Sequence, residues 1–415
     1  MRNLTVAKPR SLKALKALNF FMADMQAGIG PFLGIFLLSK GWQSGPIGTV
    51  MSLGGIAGMI MTTPAGALID STTRKRIFII IPGIFTVIAS ALILISQNFW
   101  LVSLSQVATA IAGAAIGPAV VGITLGIVKQ QGFNRQNGLN QAFNHAGNVV
   151  GAGLSGYLGL TFGMTAIVLL AALFGILSII SVLLIPANSI DHKAARGIRS
   201  EPGGNEEVSG VNVLLTCKPL LILAAALACF HLGNGALLPL YGMAAASKMH
   251  ENAYMFVALT VIIAQLVMIV ASIAGMKIAE TKGYWMIMLI SFIALPVRGL
   301  IASQMSSEIG LYPVQILDGI GAGLQSVAVP GLVAHILNGT GRINIGQGAV
   351  MTVQGIGAAL SPAIGGWIAQ QMGYGSAFLI LGCFALISIF LWVLNSKIMI
   401  KECAPAHNQN KKQSL

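Results

Sequence analysis

Apolar runs of roughly 20 residues recur along this chain, and that is the length a helix needs to cross the hydrocarbon core of a bilayer. Twelve are legible: residues 18–38, 46–68, 77–95, 100–121, 139–160 and 165–185, then 219–244, 254–275, 285–302, 311–332, 348–369 and 377–394. They are numbered spans 1–12 here. They do not alternate apolar and polar residues as barrel strands do, so the fold expected is all-α and integral to the membrane. Of the 415 residues 55% are hydrophobic and 8% charged. Soluble domains carry about 25% charged residues, which excludes a globular enzyme. Fifty glycines suit helices packed closely in lipid.

A net charge of +13 would suit nucleic acid, but its placement argues against that partner. The cations sit in short segments between apolar runs. Of the 24 Lys and Arg, all but Lys40, Lys248 and Arg298 fall on one side of the twelve-span arrangement. Cytoplasmic loops carry that excess. Both termini are therefore expected in the cytoplasm, with the chain multi-pass in the cell inner membrane. The basic N-terminus leads into an apolar run too long for a signal peptide, and it reads as span 1. Cys217, Cys229, Cys383 and Cys403 show no pairing or metal spacing. No cofactor and no metal are expected.

The long loop 187–218 is polar and glycine-rich around Ser200–Gly210 and reads as a flexible linker. It divides the chain into an N-terminal six-helix half (1–186), the linker (187–218), a C-terminal six-helix half (219–396) and a cytoplasmic tail (397–415). The halves repeat. Pro31, Gly34, Ser39 and Lys40 match Pro239, Gly242, Ser247 and Lys248 at an offset of 208. Gln106 and Ile111 match Gln315 and Ile320 at 209. Asp70 matches Glu280, and Gly156-Tyr157 matches Gly366-Trp367, at 210. Parallel six-span repeats place a substrate site between them near the bilayer midplane, with one half rocking against the other.

Twelve spans, a central cytoplasmic loop and parallel halves resemble the major facilitator superfamily. The sharpest local match runs from Gly66 to Arg76 and resembles the family's G-x-L-x-D-x-x-G-R-[RK]-x-[RK] signature, with Thr73 where Gly is usual and Ile77 in place of the last cation. A reduced copy after span 8 keeps Glu280 and Gly283. The resemblance implies a gate latch built on Gly66, Asp70, Arg74, Lys75, Arg76 and Glu280. From charge alone the segment reads equally as a positive-inside anchor. Asp24 followed by Pro31 resembles a pattern of drug/proton antiporters. The antiporter pattern of span 5 is represented by Gly147, Gly151 and Gly156, with Ala152 where Pro belongs. Span 11 carries the fuller version in Gly357, Ser361, Pro362, Gly365 and Gly366. The departure in span 5 leaves the direction of transport open.

Asp24 and Asp318 are the carboxylates expected within spans. A charge at the bilayer centre costs about 2.5–3.5 kcal/mol on insertion scales, so both are candidates for proton coupling, as are His145 and His231. Gln315, Asp318 and Gln325 share one face of span 10, and Gln106 and Thr109 begin the same face in span 4. In the family spans 1, 4, 7 and 10 line the cavity, which would make these residues substrate contacts or, alternatively, interhelical clamps. Gln26 pairs by repeat with Asn234 and joins the candidates. Asp24 points to nearly the opposite face and is open to a packing role. Span 5 carries Asn137, Gln141, Asn144, His145 and Asn148 as a polar stripe, from which Asn144 and Asn148 join the substrate candidates. Arg298 is expected to snorkel outward. Neutral amides without a central cation disfavour a highly anionic substrate.

No phosphate-binding loop or Ser-His-Asp set lies in an aqueous segment, so an enzyme or an ATP-driven pump is not expected. The resemblance implies a secondary transporter of a small organic solute (drug, siderophore or metabolite), proton-coupled, monomeric, and an exporter ahead of an importer. The alternative is a non-transporting membrane sensor or partner subunit that keeps the fold.

Overall fold

The computed structural model describes residues 9–27, 29–192, 195, 216–248, 252–305, 308–337 and 343–404. Among them every regular element is helical: α1 (Pro9–Ala27), α2 (Gly30–Ser39), α3 (Ser44–Ser71), α4 (Ile77–Ile95), α5 (Phe99–Phe162), α6 (Met164–Leu183), α7 (Lys218–Asn234), α8 (Leu237–Ala246), α9 (Ala253–Lys282), α10 (Trp285–Gln304), α11 (Glu308–Ile336), α12 (Ile343–Leu394) and the short α13 (Ser396–Glu402). A 3-10 turn, Ala187–Ser189, follows α6.

These helices give the twelve expected spans, differently divided. Span 1 is broken into α1 and α2, and span 7 into α7 and α8. Conversely, α5 joins spans 4 and 5 across a break at Lys129 (φ 55°), and α12 joins spans 11 and 12 across Gly373 (φ 85°). Gly163, between spans 5 and 6, has φ 73° and is the repeat partner of Gly373 at offset 210. Both turns need a left-handed residue, which glycine supplies without a Cβ clash. Most helices outrun their apolar runs by several residues, because polar ends stay helical where water is in reach.

Ten stretches among the described residues are long and apolar enough to cross a bilayer, one of them the whole of Ile345–Leu394. The limb of α5 beyond Lys129 is not among them. Its amides lower its hydropathy, and their hydrogen bonds compensate for that.

Large apolar side chains point outward at helical spacing. On α6, Leu169, Leu173, Ile176, Ile180 and Leu183 are exposed, while Gly175, Ser178 and Ser181 are buried. On α4, Ile81, Phe85 and Ile88 are exposed and Gly83, Thr86 and Ser90 buried. Small and weakly polar residues inside, with bulky apolar ones outside, is the arrangement lipid favours.

The chain forms two compact units. The first comprises Met1–Gly41, Leu53–Gly203 and Glu251–Leu259; the second comprises Trp42–Ser52, Gly204–His250 and Thr260–Leu415. The opening turns of α3 thus belong with the second unit and those of α9 with the first.

In the first unit, spans 1 and 5 touch through glycine. A Cβ on Gly147 would strike the Phe20 carbonyl, and one on Gly151 would strike the Asp24 carboxylate. Farther along, Gly156 meets Ala258 and the Tyr254 carbonyl. The second unit repeats this arrangement. Gly357 meets the Ala228 carbonyl, and Gly366 meets the Ser44 carbonyl and Gly48. Gly147 and Gly156 and their partners correspond to Gly357 and Gly366 and theirs at offsets of 208 or 210, whereas Gly151 is matched by Ser361. The Ser44 hydroxyl donates to the Gly366 carbonyl (3.0 Å) and Trp367 Nε1 to Thr49 (3.1 Å).

Candidate functional site

The principal polar cluster of the second unit is assembled from three helices. Asn234 is the last residue of α7, where the span breaks. Arg298 lies on α10, which approaches α12 closely because Gly299 and Gly382 face one another; a Cβ on Gly299 would lie near the Phe378 carbonyl and 3.2 Å from the Gly382 Cα. Asp318 lies on α11. Arg298 Nη1 donates to Asp318 Oδ1 at 2.5 Å and to Asn234 Oδ1 at 2.7 Å. The Arg298 side chain is 1% exposed and that of Asp318 17%. Arg298 Nε and Nη2 have no acceptor among the described residues. Tyr241 of α8 lies near Arg298 and donates its hydroxyl to the Met305 carbonyl (2.8 Å).

This corrects the expectation that Arg298 snorkels outward. A cation taken out of water is costly unless paired, and here a carboxylate on the adjacent helix supplies the pair. The expectation of a site without a central cation falls with it. Both charges lie on consecutive helices, Arg298 six residues before the end of α10 and Asp318 ten after the start of α11. That spacing was the available sequence signal.

Gln325 is buried and donates from Nε2 to Ser291 Oγ (2.8 Å), which donates to the Gly321 carbonyl (3.0 Å). His231 lies against Gln325 and makes an edge contact with Phe230. Gln315 is fully buried, with neither amide atom hydrogen-bonded among the described residues. The broken span 7 is held by span 11: the buried Ala236 N–H, freed by the break, donates to Ser361 Oγ (2.8 Å). Ser361 thus does specific backbone work that its place in a glycine pattern did not announce.

In the first unit Asp24 is 2% exposed and packs against Gly151, with Oδ2 lacking a hydrogen-bond partner among the described residues. It faces span 5, the packing alternative left open above. Gln26 is one residue from the end of α1, and its side chain lies outside the described residues, as does that of Asp70. The amides of span 5 form a ladder. Gln136 donates to Asn140 (2.8 Å), Asn140 to Thr124 (3.0 Å), Asn148 to Asn144 (3.3 Å) and Asn144 to the Asn19 carbonyl (3.4 Å). Gln136, Asn140 and Asn19 are buried and were not singled out from sequence. Their i, i+4 series was legible, but Asn137, Gln141 and His145 offer a rival polar face one residue on. His145 is half-buried. Gln106 backs Gly54 of α3, and Thr109 lies 3.4 Å from the Ser90 hydroxyl of α4.

The loop after α3 is ordered by its cations. Asp70 falls within the last turn of α3 rather than after it. Lys75 is 1% exposed; its Nζ donates to the Ile69 carbonyl (2.7 Å) and its stem crosses Gly122 of α5. A cation at the C-terminal end of a helix is favoured by the helix dipole. Arg76 Nη1 donates to the Ile185 carbonyl (2.9 Å). Arg74 is exposed, and no atom lies within 4 Å of a Cβ built on Gly66. In the second unit Tyr284 takes the position of Lys75 at offset 209 and lies against Gly331, the counterpart of Gly122. Its backbone N–H donates to the Cys403 carbonyl (2.9 Å), and exposed Glu280 stands near it.

Known proteins bear on this arrangement. The description Major Facilitator Superfamily matches residues 17–345. Two uncharacterized MFS-type transporters of Mycobacterium tuberculosis, from strains CDC 1551 / Oshkosh and ATCC 25618 / H37Rv, are each 38% identical over 389 residues, 93% of either chain. Among solved structures, a point mutant of the nucleoside transporter NupG superposes with a TM-score of 0.78 at 15% identity, covering 92% of this chain and 99% of that one. A bacterial homolog of the human lysosomal transporter Spinster, in an inward-facing and unoccupied conformation, gives 0.73 at 16%, covering 97% and 100%. At these identities the structures speak to fold. The match over most of the length, together with the 38% identity, is decisive for family: this chain belongs to the major facilitator superfamily.

Proposed function

We propose that this secondary transporter of a small solute is driven by protons, and that Asp318 is the group that takes up and releases them. The observation that carries this reading is the unequal exposure of one ion pair: Arg298 is sealed and Asp318 is reached by water. A proton arriving on Asp318 cancels the charge that ties α11 to α10. The guanidinium is then left with Asn234 of α7, so protonation alters which helices are held together. That is a physical route from proton occupancy to conformation. Asp24 is the competing carrier, acting through the Gly151 contact, with His145 and His231 behind it. The solute is proposed to meet the amides Gln26, Gln106, Asn144, Asn148, Asn234, Gln315 and Gln325, and Thr109. The segment Gly66–Arg76 with Glu280 serves as the gate latch. Residues 1–186 and 219–396 act as the two moving halves of a monomer in the inner membrane, joined by 187–218, with both termini cytoplasmic. Export is the proposed direction, and import its alternative.

Reconstitution in proteoliposomes tests this. Asp318→Asn is expected to abolish gradient-driven movement of solute while exchange without a gradient survives. Uphill transport by Asp318→Asn, together with its loss in Asp24→Asn, would move the proton to Asp24. Unchanged coupling in both variants would end carboxylate-based proton coupling.

A further inference from the structure

The guanidinium of Arg298 has five N–H donors in a planar fork, and only Nη1 is engaged, by Asp318 and Asn234. Nε and Nη2 are buried and have no acceptor among the described residues. Together they form the edge of the fork that receives both oxygens of a carboxylate in parallel. Buried donors with no partner are rare and call for an explanation. A side chain this closed to water, with a whole recognition edge left over, is built to receive something that arrives.

We propose that the Nε/Nη2 edge of Arg298 binds the carboxylate of a monoanionic organic solute, with Asp318 carrying a proton while the solute is aboard. The proposal rests on the reading of Asp318 as the proton carrier and adds a substrate class to it. Charge sets the valence. With Asp318 ionised the pair is neutral, and an incoming anion would leave a net buried negative charge. With Asp318 protonated the site carries one positive charge, which a single carboxylate neutralises and a dianion overshoots. Proton and carboxylate therefore occupy the site together, which is symport, and for a solute of this class an inward proton gradient drives import, the alternative direction above, rather than export.

The surroundings leave that role to Arg298. From α7 it faces Asn234, with His231 lying against Gln325; from α8 it faces Tyr241, whose hydroxyl is spent on Met305. From α11 it faces Asp318. Between residues 345 and 394, α12 has no Asp, Glu, Lys, Arg or His, and α10 has no other charge. Among the described residues no second cation stands beside the pair.

The test uses the full chain in lipid nanodiscs and matched acid–amide pairs: benzoate with benzamide, hexanoate with hexanamide, N-acetylglycine with its amide. Binding is read by calorimetry in mildly acidic and mildly alkaline buffer. At least one acid is expected to bind about tenfold more tightly than its amide in acid, with the preference shrinking in alkali. The double variant Arg298→Gln/Asp318→Asn strands no charge, so its fold is expected to hold, as thermal unfolding checks; it should lose the preference, acid and amide then binding alike. Arg298→Lys, which keeps the charge without the fork, should recover part of it. Acid and amide binding alike in every pair would overturn the proposal and point to a neutral carbonyl acceptor. So would a preference that persists in the double variant. The two readings fail separately: a carboxylate preference in a protein without proton-driven transport sinks the coupling alone, and proton-driven transport without the preference sinks the anion site alone.

Discussion

Arg298 and Asp318 meet through a single guanidinium nitrogen, which also holds Asn234. Three helices therefore depend on one nitrogen and its two N–H bonds. Arg298→Gln leaves Asp318 without its counter-charge and is expected to cost about 3–5 kcal/mol of stability, as breaking a buried pair from one side does. Asp318→Asn keeps an oxygen for Nη1 but strands the sealed guanidinium, and should cost at least as much. Replacing both should recover most of the loss. Thermal unfolding of the purified variants measures this, and strictly additive losses would refute the pairing.

Glycines separate sharply by what surrounds them. Gly151→Leu would drive its side chain into Asp24, and Gly357→Leu into the Ala228 carbonyl. Both are expected to prevent a monodisperse product in fluorescence-detected size-exclusion chromatography. Gly66→Ala has open space and should elute as wild type does. Normal behaviour of Gly151→Leu would mean that spans 1 and 5 are not packed as described.

The segment after α3 yields a contrast between folding and rate. Lys75→Met removes the bond to the Ile69 carbonyl in a buried place and should lower stability by about 1–3 kcal/mol. Asp70→Asn should leave membrane insertion intact and slow transport. Transport at the wild-type rate by normally expressed Asp70→Asn would remove the latch role from this carboxylate.

Topology can be read with thiol labels. Cysteines placed beside Arg74 and Lys129 should react only from the cytoplasm, and those beside Lys40 and Lys248 only from outside; the reverse would overturn the loop-charge argument. Native Cys403 will not interfere. Burial, reinforced by Glu402, pushes its thiol from 9.0 to about 12, and the thiol rather than the thiolate is inert. Because the folded state holds this proton where the unfolded state has lost it, stability should fall as pH climbs above 9.0.

The twelve spans were legible because apolar length is a local property, and the repeat because offsets are arithmetic. The breaks in spans 1 and 7 were not, since glycine is so common here that a break and a packing contact look alike. Arg298 was misjudged for a related reason. Its partner lies on another helix, so no i, i+4 neighbour announces it. In span 5 the chain offers two polar faces one residue apart, and contact with α1 and span 4 selects the face of Gln136, Asn140, Asn144 and Asn148. Helical angle sets Asp24 nearly opposite Gln26, and in the structure it packs against Gly151.

The interruptions recur at the repeat spacing. Helix α1 ends at Ala27 and α2 begins at Gly30; α7 ends at Asn234 and α8 begins at Leu237. Subtracting 208 brings the second gap onto the first to within one residue. The left-handed turns at Gly163 and Gly373 coincide likewise under 210. The chemistry at the matching places differs. Where Gly151 meets Asp24, the second half has Ser361 and Leu232, and Ser361 closes a backbone gap at Ala236 instead of facing a carboxylate. The same joints can therefore carry a charge in one half and none in the other.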